Sequence, residues 1–241
     1  MLLALLAAGC GGTAKPRREA APPSPQTCPP AALHHVGSAR AAFAAVVKSR
    51  AAVSRRPGGR AFATFGRLNV NHVPTIFSIR AQRVDERCRP RWYLVQVPLR
   101  PNGVTGWVRA SQVDVERVRT RIVVDLSARR VTLYRSGRAV LSSRAAIGSS
   151  ATPTPTGSFY VNQRLIPIDP NGPFGPGAVG ISAFSNVLTG WTQGGPIAIH
   201  GTNAPWSIGK AVSNGCIRLP NAALRKVFAE ALNGTPVLIR N

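Results

Sequence analysis

Residues 197–220 read IAIHGTNAPWSIGKAVSNGCIRLP, and this stretch decides how the chain is interpreted. It places His200 sixteen positions before Cys216, with a glycine directly beside each of them. A thiol attacks an acyl group only as the thiolate, so a catalytic cysteine needs a nearby base or cation. His200 is the candidate base. We expect the carbonyl of Gly201 to hold its second ring nitrogen, because no acidic residue lies between positions 170 and 229.

Each of these residues also has an ordinary structural explanation. A lone cysteine is usually a small buried hydrophobe, and a lone histidine on an apolar strand is more often a satisfied core residue than a base. Their shared context favours catalysis. Gly215 lets the backbone approach a substrate without a Cβ, and the amides of Gly215 and Cys216 are expected to donate to an oxyanion.

The motifs resemble those of the L,D-transpeptidase catalytic domain family. The resemblance rests on His-Gly-Thr-Asn at 200–203, Ser-Asn-Gly-Cys-Ile-Arg-Leu at 213–219 and Thr-Pro-Thr-Gly-Ser-Phe at 154–159. It implies that Cys216 is the nucleophile, His200 the base and Gly201 its orienting partner. Many members carry a second histidine where this chain has Asn214. The residues expected to contact the substrate are Ser213, Asn214, Gly215, Arg218 and Thr202.

The activity that this resemblance implies is 3→3 cross-linking of peptidoglycan. Cys216 would form a thioester with a tetrapeptide donor stem and release D-alanine, and the amine of a second stem would then take the acyl group. Arg218 would pair with a substrate carboxylate or, equally, form a structural ion pair or brace the backbone. The alternatives are an L,D-carboxypeptidase, which uses water, and a catalytically idle lipoprotein that binds the cell wall. No cofactor or metal is expected, whereas a carbapenem is expected to acylate Cys216.

The charge balance is strongly basic, with 31 Lys+Arg against 8 Asp+Glu and a formal net charge of +23. Such a field attracts polyanions, including nucleic acid, acidic lipid and anionic wall polymers, and the sign of the charge alone does not choose among them. Nucleic acid is not expected, because the arginines are scattered, aromatic residues make up 6% of the chain and no nucleic-acid motif is present.

The N-terminus indicates export. Residues 1–10 form an apolar run ending at a lipoprotein-like Ala-Gly-Cys, so Cys10 is the expected lipidation site and the membrane anchor. Residues 11–37 form a Pro/Ala-rich tether. The expected location is therefore the extracytoplasmic cell envelope of a bacterium. There, Cys28 and Cys88 would form a disulfide, the alternative being two unpaired thiols.

The remaining residues predict a mainly β protein. Residues 38–57 are taken as a short helical or linker segment, with a helix over 39–53. Residues 58–117 resemble a small bacterial SH3-like β-barrel, in which Trp92 and Trp107 form either a wall-binding groove or, more simply, the barrel core.

Residues 118–241 are predicted to form an L,D-transpeptidase-type β-sandwich with one or two short helices. Residues 169–180 are rich in glycine and proline and are predicted to form a lid beside the site. A helix is predicted over 222–232, with Asn221 as its N-cap.

Overall fold

The computed structural model describes residues 28–29 and 32–241. The predicted signal segment, the lipidation site Cys10 and most of the predicted tether lie outside these residues. Within them, no helix has the length and apolarity needed to cross a bilayer. The described residues are mainly β, as predicted, with a single α-helix, α1 (Asn221–Glu230).

Two eight-stranded sheets follow one another along the chain. The first has the strand order β4-β3-β7-β6-β5-β2-β8, with β1 also paired to β5. Its strands are β1 (His34–His35), β2 (Ala42–Val47), β3 (Arg50–Ser54), β4 (Ala61–Gly66), β5 (Ile76–Val84), β6 (Pro90–Gln96), β7 (Thr105–Arg109) and β8 (Val113–Val118). The SH3-like assignment of this part of the chain remains a prediction.

The second sheet contains the sequence stretch that carries His200 and Cys216. The remaining strands in chain order are β9 (Thr120–Asp125), β10 (Arg130–Arg135), β11 (Arg138–Arg144), β12 (Ile147–Gly148), β13 (Gly157–Leu165), β14 (Ala178–Phe184), β15 (Pro196–His200), β16 (Ala211–Ser213), β17 (Ile217–Arg218) and β18 (Pro236–Arg240). The sheet order is β11-β10-β9-β18-β13-β14-β15-β17, and β12 pairs separately with β16.

The predicted helix over residues 39–53 is wrong. These residues form β2 and β3, and β2 pairs with both β5 and β8. Alanine-rich sequence has high intrinsic helix propensity, but propensity is a weak local preference that tertiary contacts override. Here Ala44, Ala45 and Ala51 are fully buried, so their small side chains serve close packing of the first sheet.

The helix after the cysteine is confirmed, but its predicted cap is wrong. Pro220 is the N-cap and makes no side-chain capping bond, whereas Asn221 is the first helical residue. Its Oδ1 accepts a hydrogen bond from the backbone N–H of Thr202 at 2.8 Å. Leu224 and Val227 of α1 pack into the main core of the second sheet. The amide of Asn221 therefore joins this helix to the loop that follows His200.

The two sheets meet through a buried tyrosine. Tyr160 on β13 is fully buried in a cluster with Ala44, Ile76 and Val118 of the first sheet. Its hydroxyl donates to the carbonyl of Ile76 at 3.0 Å, and burial raises the pKa of the Tyr160 hydroxyl. Since an unpaired buried carbonyl would be costly, this bond fixes how the first sheet sits on β13.

The disulfide predicted from the cysteine count is present. Cys28 and Cys88 are bonded with a Cα–Cα distance of 5.2 Å. Cys88 lies in the turn between β5 and β6, so the bond ties the start of the described chain to the first sheet. Among the described residues, Cys216 is the free cysteine.

Candidate active site

His200 is the last residue of β15, and strand alternation decides where it points. Ile197 and Ile199 belong to the main core. Because successive side chains of a strand face opposite sides of the sheet, Ala198 and His200 face away from these isoleucines. The sequence IAIH therefore places its histidine on the opposite side of the sheet from the core isoleucines, while keeping it 4% exposed.

Cys216 lies directly beside this strand. β15 and β17 are parallel, with Ile199 opposite Ile217 and His200 opposite Arg218. Extending the register by one residue sets Cys216 opposite Ala198, diagonal to His200 and on the same face. With about 4.8 Å between strands and about 3.3 Å per residue, the Cα atoms of His200 and Cys216 lie roughly 8 Å apart. The structure thus brings together the two residues that the sequence predicted as nucleophile and base.

A backbone carbonyl orients the histidine, as expected from the lack of nearby acidic residues. His200 Nδ1 lies 2.6 Å from the carbonyl oxygen of Gly201. A carbonyl can only accept, so Nδ1 carries the proton and Nε2 keeps its lone pair. Burial lowers the pKa of His200 from 6.5 to about 4, opposed by the Gly201 bond and assisted by the charge of Arg218. The imidazole is therefore neutral at neutral pH and can accept a proton.

The thiol is also held in its neutral form. Burial raises the pKa of Cys216, while a hydrogen bond with the backbone of Ala198 and the charge of Arg218 oppose this shift. Together with the lowered pKa of His200, this makes the neutral thiol and neutral imidazole the resting pair. The arrangement suits proton transfer to His200 during attack rather than a preformed thiolate.

The turn before the cysteine is braced internally, which changes the role predicted for Ser213. Ser213 is 1% exposed, and its hydroxyl donates to the carbonyl of Cys216 at 2.5 Å. The same oxygen accepts the N–H of Gly215 at 3.1 Å. Ser213 therefore uses its hydroxyl proton and one oxygen lone pair within the turn, and its burial leaves little surface for the substrate contact predicted from the sequence. Of the two amides expected to donate to an oxyanion, that of Gly215 is engaged within the turn, so the predicted contact falls to the amide of Cys216.

A second hydroxyl reaches the turn from the Thr-Pro-Thr-Gly motif. Thr154 is buried, and its Oγ1 donates to the carbonyl of Gly215 at 2.8 Å. It also accepts the N–H of Gly148 at 2.9 Å. Gly215 has a φ of +105°, and a Cβ there would lie 3.0 Å from Ile197. Glycine is thus required before Cys216 by both backbone conformation and space.

Thr202 helps to hold the loop that follows His200. It is 5% exposed. Its Oγ1 accepts the N–H of Ala204 at 3.0 Å, and its own N–H donates to Asn221. Its hydroxyl proton is not used in these bonds, so the predicted substrate contact through Thr202 stays a prediction.

Asn214 and Arg218 differ from Ser213 and Thr202 in being accessible. Asn214 is exposed. Arg218 is half-buried beside the site, and no described residue forms an ion pair with it. Its backbone pairs with Ala146, but its guanidinium remains available to a ligand. Of the two explanations offered by the sequence for Arg218, this placement favours carboxylate binding over an ion pair within the protein.

The glycine- and proline-rich loop lies beside the histidine, as predicted, although β14 already begins at Ala178. The ring of Phe174 packs edge-on against His200, with centroids 5.0 Å apart, and Phe174 is 47% exposed. A Cβ added at Gly175 would lie 2.8 Å from the nitrogen of Thr202, so the loop approaches the site closely. Sequence reasoning missed Phe174. The only signal was an aromatic residue between prolines and glycines.

The described residues contain no cluster of three or more His, Cys, Asp or Glu side chains that could hold a metal ion. The groups that the site brings together are a thiol, an imidazole, a guanidinium and backbone N–H groups. A thiol beside an imidazole that can accept its proton is the arrangement that nucleophilic catalysis requires.

Comparison with known proteins agrees with this chemistry. The L,D-transpeptidase catalytic domain model, YkuD, matches residues 119–239. YkuD of Bacillus subtilis (strain 168) is 40% identical over 118 residues, which cover 49% of this chain and 64% of that protein. YcfS of Escherichia coli (strain K12) is 35% identical over 77 residues, which cover 32% of this chain and 21% of that protein. The matched region thus spans under two thirds of the length of these relatives.

Solved L,D-transpeptidase structures are also similar. An Enterococcus faecium L,D-transpeptidase is 26% identical, with a TM-score of 0.40 over 50% of this chain and 49% of that one. An L,D-transpeptidase from Mycobacterium smegmatis is 18% identical, with a TM-score of 0.41, and the match covers 69% of this chain and 90% of that one. Family membership rests on the match that covers half of the chain, including His200 and Cys216. The chain belongs to the L,D-transpeptidase family, and residues 119–239 are its catalytic domain.

Proposed function

We propose that this protein forms 3→3 cross-links in peptidoglycan, using Cys216 as the nucleophile. The observation that carries the proposal is the parallel pairing of β15 with β17, which sets Cys216 diagonal to His200 with Arg218 beside both. The lowered pKa of His200 supports a role as proton acceptor.

In the first step, Cys216 Sγ attacks the carbonyl carbon of the third residue of a donor stem. His200 Nε2 takes the thiol proton, and the tetrahedral oxyanion accepts the N–H of Cys216. When this intermediate collapses, the imidazolium gives its proton to the nitrogen of the departing D-alanine. A thioester between Cys216 and the donor stem remains.

In the second step, the side-chain amine of another stem attacks the thioester. His200 removes a proton from this amine and returns one to the Cys216 sulfur, so that an amide forms and the thiol is restored. Water in place of the amine would give an L,D-carboxypeptidase. Arg218 is proposed to bind a carboxylate of a stem peptide, since no described carboxylate occupies it.

We place this activity outside the cytoplasmic membrane. The disulfide between Cys28 and Cys88 fits an oxidising compartment, and peptidoglycan is found there. Lipidation at Cys10 is proposed as the anchor. Anionic wall polymers are a proposed partner, on the basis of the formal charge of +23.

Mass spectrometry of muropeptides tests the proposal. Wild type incubated with tetrapeptide stems should release D-alanine and produce cross-linked dimers, whereas Cys216→Ala should do neither. Release of D-alanine by Cys216→Ala would refute the mechanism. Release by wild type without dimers would establish hydrolysis instead. A carbapenem should form an adduct at Cys216, and its absence would indicate a catalytically idle wall-binding protein.

A further inference from the structure

A cleft of about 570 Å³ lies between the two sheets, away from Cys216 and His200. The first sheet contributes the chain around Phe65 and Asn71, and the second contributes β13, β14 and the chain that leads into β15. Its volume is within the range of sites that hold small molecules, roughly 300–1,000 Å³.

A β-bulge shapes one wall of this cleft. Val161 pairs with Ile181 but Gln163 pairs with Gly180, so Asn162 is an extra residue on β13. In a regular strand, neighbouring side chains face opposite sides of the sheet. Here both Asn162 and Gln163 line the cleft. The bulge thus directs two adjacent amides into the same space, as bulges beside binding sites do.

Gln163 belongs to a hydrogen-bond network that crosses between the sheets, whereas Asn162 does not take part in it. Gln163 Oε1 accepts hydrogen bonds from Asn69 Nδ2 at 3.0 Å and from Asn71 Nδ2 at 2.8 Å. Gln193 Nε2 donates to Asn71 Oδ1 at 2.9 Å. Asn162 Oδ1 is buried and has no partner among the described residues. A buried acceptor left unpaired is costly, so this oxygen is suited to a ligand that brings an N–H or O–H.

The rest of the lining is mostly apolar, with Thr64 and Thr75 as further polar residues, and it carries little accessible charge. Phe65 and Phe184 present aromatic rings, and none of the described lining residues is acidic. The one cation, Arg100, stacks over Phe184 and donates to the carbonyls of Ser185 and Gly194 at 2.5 and 2.6 Å. Amides beside aromatic rings, with the cation already engaged, match an uncharged ligand that has polar edges and apolar faces.

We propose that this cleft binds N-acetylated hexosamines of the glycan strand that carries the stem peptides. Choosing this ligand rests on the function proposed above. A sugar ring offers apolar faces to Phe65 and Phe184, and its hydroxyls and acetamide meet the amides. The acetamide N–H or a hydroxyl would donate to Asn162 Oδ1.

The position of the cleft relative to the active site supports this ligand. Pro196 lines the cleft, and His200 ends the same strand. Pro196, Ala198 and His200 alternate along β15 and so share one face. Four residues of strand span about 13 Å, and a stem peptide of three to four extended residues spans about 10–14 Å. A glycan in the cleft can therefore present its stem peptide to Cys216.

Binding of a tetramer of β-1,4-linked N-acetylglucosamine to the full chain tests the proposal by calorimetry. Asn162→Leu should weaken binding about tenfold or more, which is the cost of one lost hydrogen bond to a buried group. Asn171→Leu, an exposed asparagine outside the cleft, should bind as wild type does. If Asn162→Leu does not fold, Gln193→Ala on the exposed rim of the network should also weaken binding.

Absence of binding to wild type, or equal binding by Asn162→Leu and wild type, would overturn the proposal. Concentration-dependent dimerisation that the Asn162→Leu change abolishes would assign the cleft to a second copy instead. Acylation of Cys216 by a carbapenem should be the same in wild type and Asn162→Leu. If wild type binds the tetramer but releases no D-alanine, the proposal for the cleft stands and the proposed function fails. The two failures are therefore distinguishable.

Kinetics provide the link between the cleft and the reaction. Wild type should use a disaccharide-linked tetrapeptide with a higher kcat/KM than the free tetrapeptide, and Asn162→Leu should lose this preference while keeping its activity on the free peptide. If wild type and Asn162→Leu prefer the disaccharide-linked peptide equally, a glycan in the cleft does not present its stem peptide to Cys216.

Discussion

Thr154 holds the backbone of the residue before Cys216, because its hydroxyl donates to the carbonyl of Gly215 at 2.8 Å. The same hydroxyl accepts the N–H of Gly148. Thr154 and Gly215 are 61 residues apart in sequence, so the contact joins the Thr-Pro-Thr-Gly motif to the Ser-Asn-Gly-Cys motif. Two motifs that appear separate in the sequence thus form one brace behind Cys216.

Thr154→Val keeps the shape of the side chain but removes the hydroxyl. Two buried backbone groups then lose their partner, which should lower the free energy of unfolding by about 1–3 kcal/mol. Urea denaturation measures this loss, and the rate of Cys216 acylation by a carbapenem should fall with it. Thr105→Val, at an exposed position on β7, is the control and should change neither. Equal stability of wild type and Thr154→Val would contradict a stabilising role for the Thr154 hydroxyl.

His200 should make stability depend on pH between about 4 and 6.5. Its pKa falls from 6.5 to about 4 on folding, so the unfolded chain binds more protons within this window and stability rises with pH. The shift corresponds to about 3 kcal/mol, present above pH 6.5 and lost as the pH falls to 4. Denaturation across this range should show a steeper dependence for wild type than for His200→Gln. Parallel curves would mean that His200 is not buried in its neutral form.

The same substitution tests the role of His200 as base. Because the thiol and the imidazole both rest neutral, His200→Gln should slow acylation of Cys216 by a carbapenem at neutral pH about a hundredfold or more, since no group then accepts the thiol proton. The rate of adduct formation, followed by mass spectrometry, measures this effect. An unchanged rate would remove His200 from the proposed proton transfer.

Arg218→Gln should separate substrate binding from chemistry. If the guanidinium binds a stem carboxylate, kcat/KM should fall about tenfold to a hundredfold for a donor with a free C-terminal carboxylate, as expected for a hydrogen bond to a charged group. The corresponding carboxamide should be affected much less. A similar loss for both donors would show that Arg218 acts only through the pKa values of Cys216 and His200.

Tyr160→Phe should loosen the junction between the two sheets. The change leaves the carbonyl of Ile76 without its buried donor and should cost about 1–3 kcal/mol of unfolding free energy. Tyr134→Phe is the matched control, because Tyr134 is only half-buried. We expect chemical denaturation to distinguish the two variants. Equal losses would argue against a special role for the Tyr160 hydroxyl.

Removing the disulfide should destabilise the protein without affecting the thiol chemistry. Cys28 and Cys88 are separated by 60 residues, and a loop of that length predicts about 4 kcal/mol from the chain-entropy model. The double variant Cys28→Ser/Cys88→Ser should therefore have a lower Tm. Carbapenem acylation at Cys216 should be unchanged at temperatures where the variant is folded. A slower acylation there would indicate that the first sheet influences the site.

Sequence alone predicted the cysteine and the histidine that the structure brings together, the carbonyl that contacts the histidine and the mainly β fold. It could do so because these features are local: His200 and Gly201 are neighbours, and the alternation in Ile197-Ala198-Ile199 gives the strand its two faces. The cysteine count was small enough to indicate the pairing of Cys28 with Cys88.

Only the tertiary structure decided which polar groups are accessible to a substrate. Ser213 and Thr202 carry hydroxyls that suit a ligand, but both are almost fully buried and both bond to backbone groups of their own loops. Residues 39–53 favour a helix locally, yet pairing with β5 and β8 and burial of the alanines make them strands. The cleft depends on a bulge at Asn162 and on contacts between sheets. Hydrogen bonding and burial between distant residues determine these features, and a one-dimensional pattern does not record them.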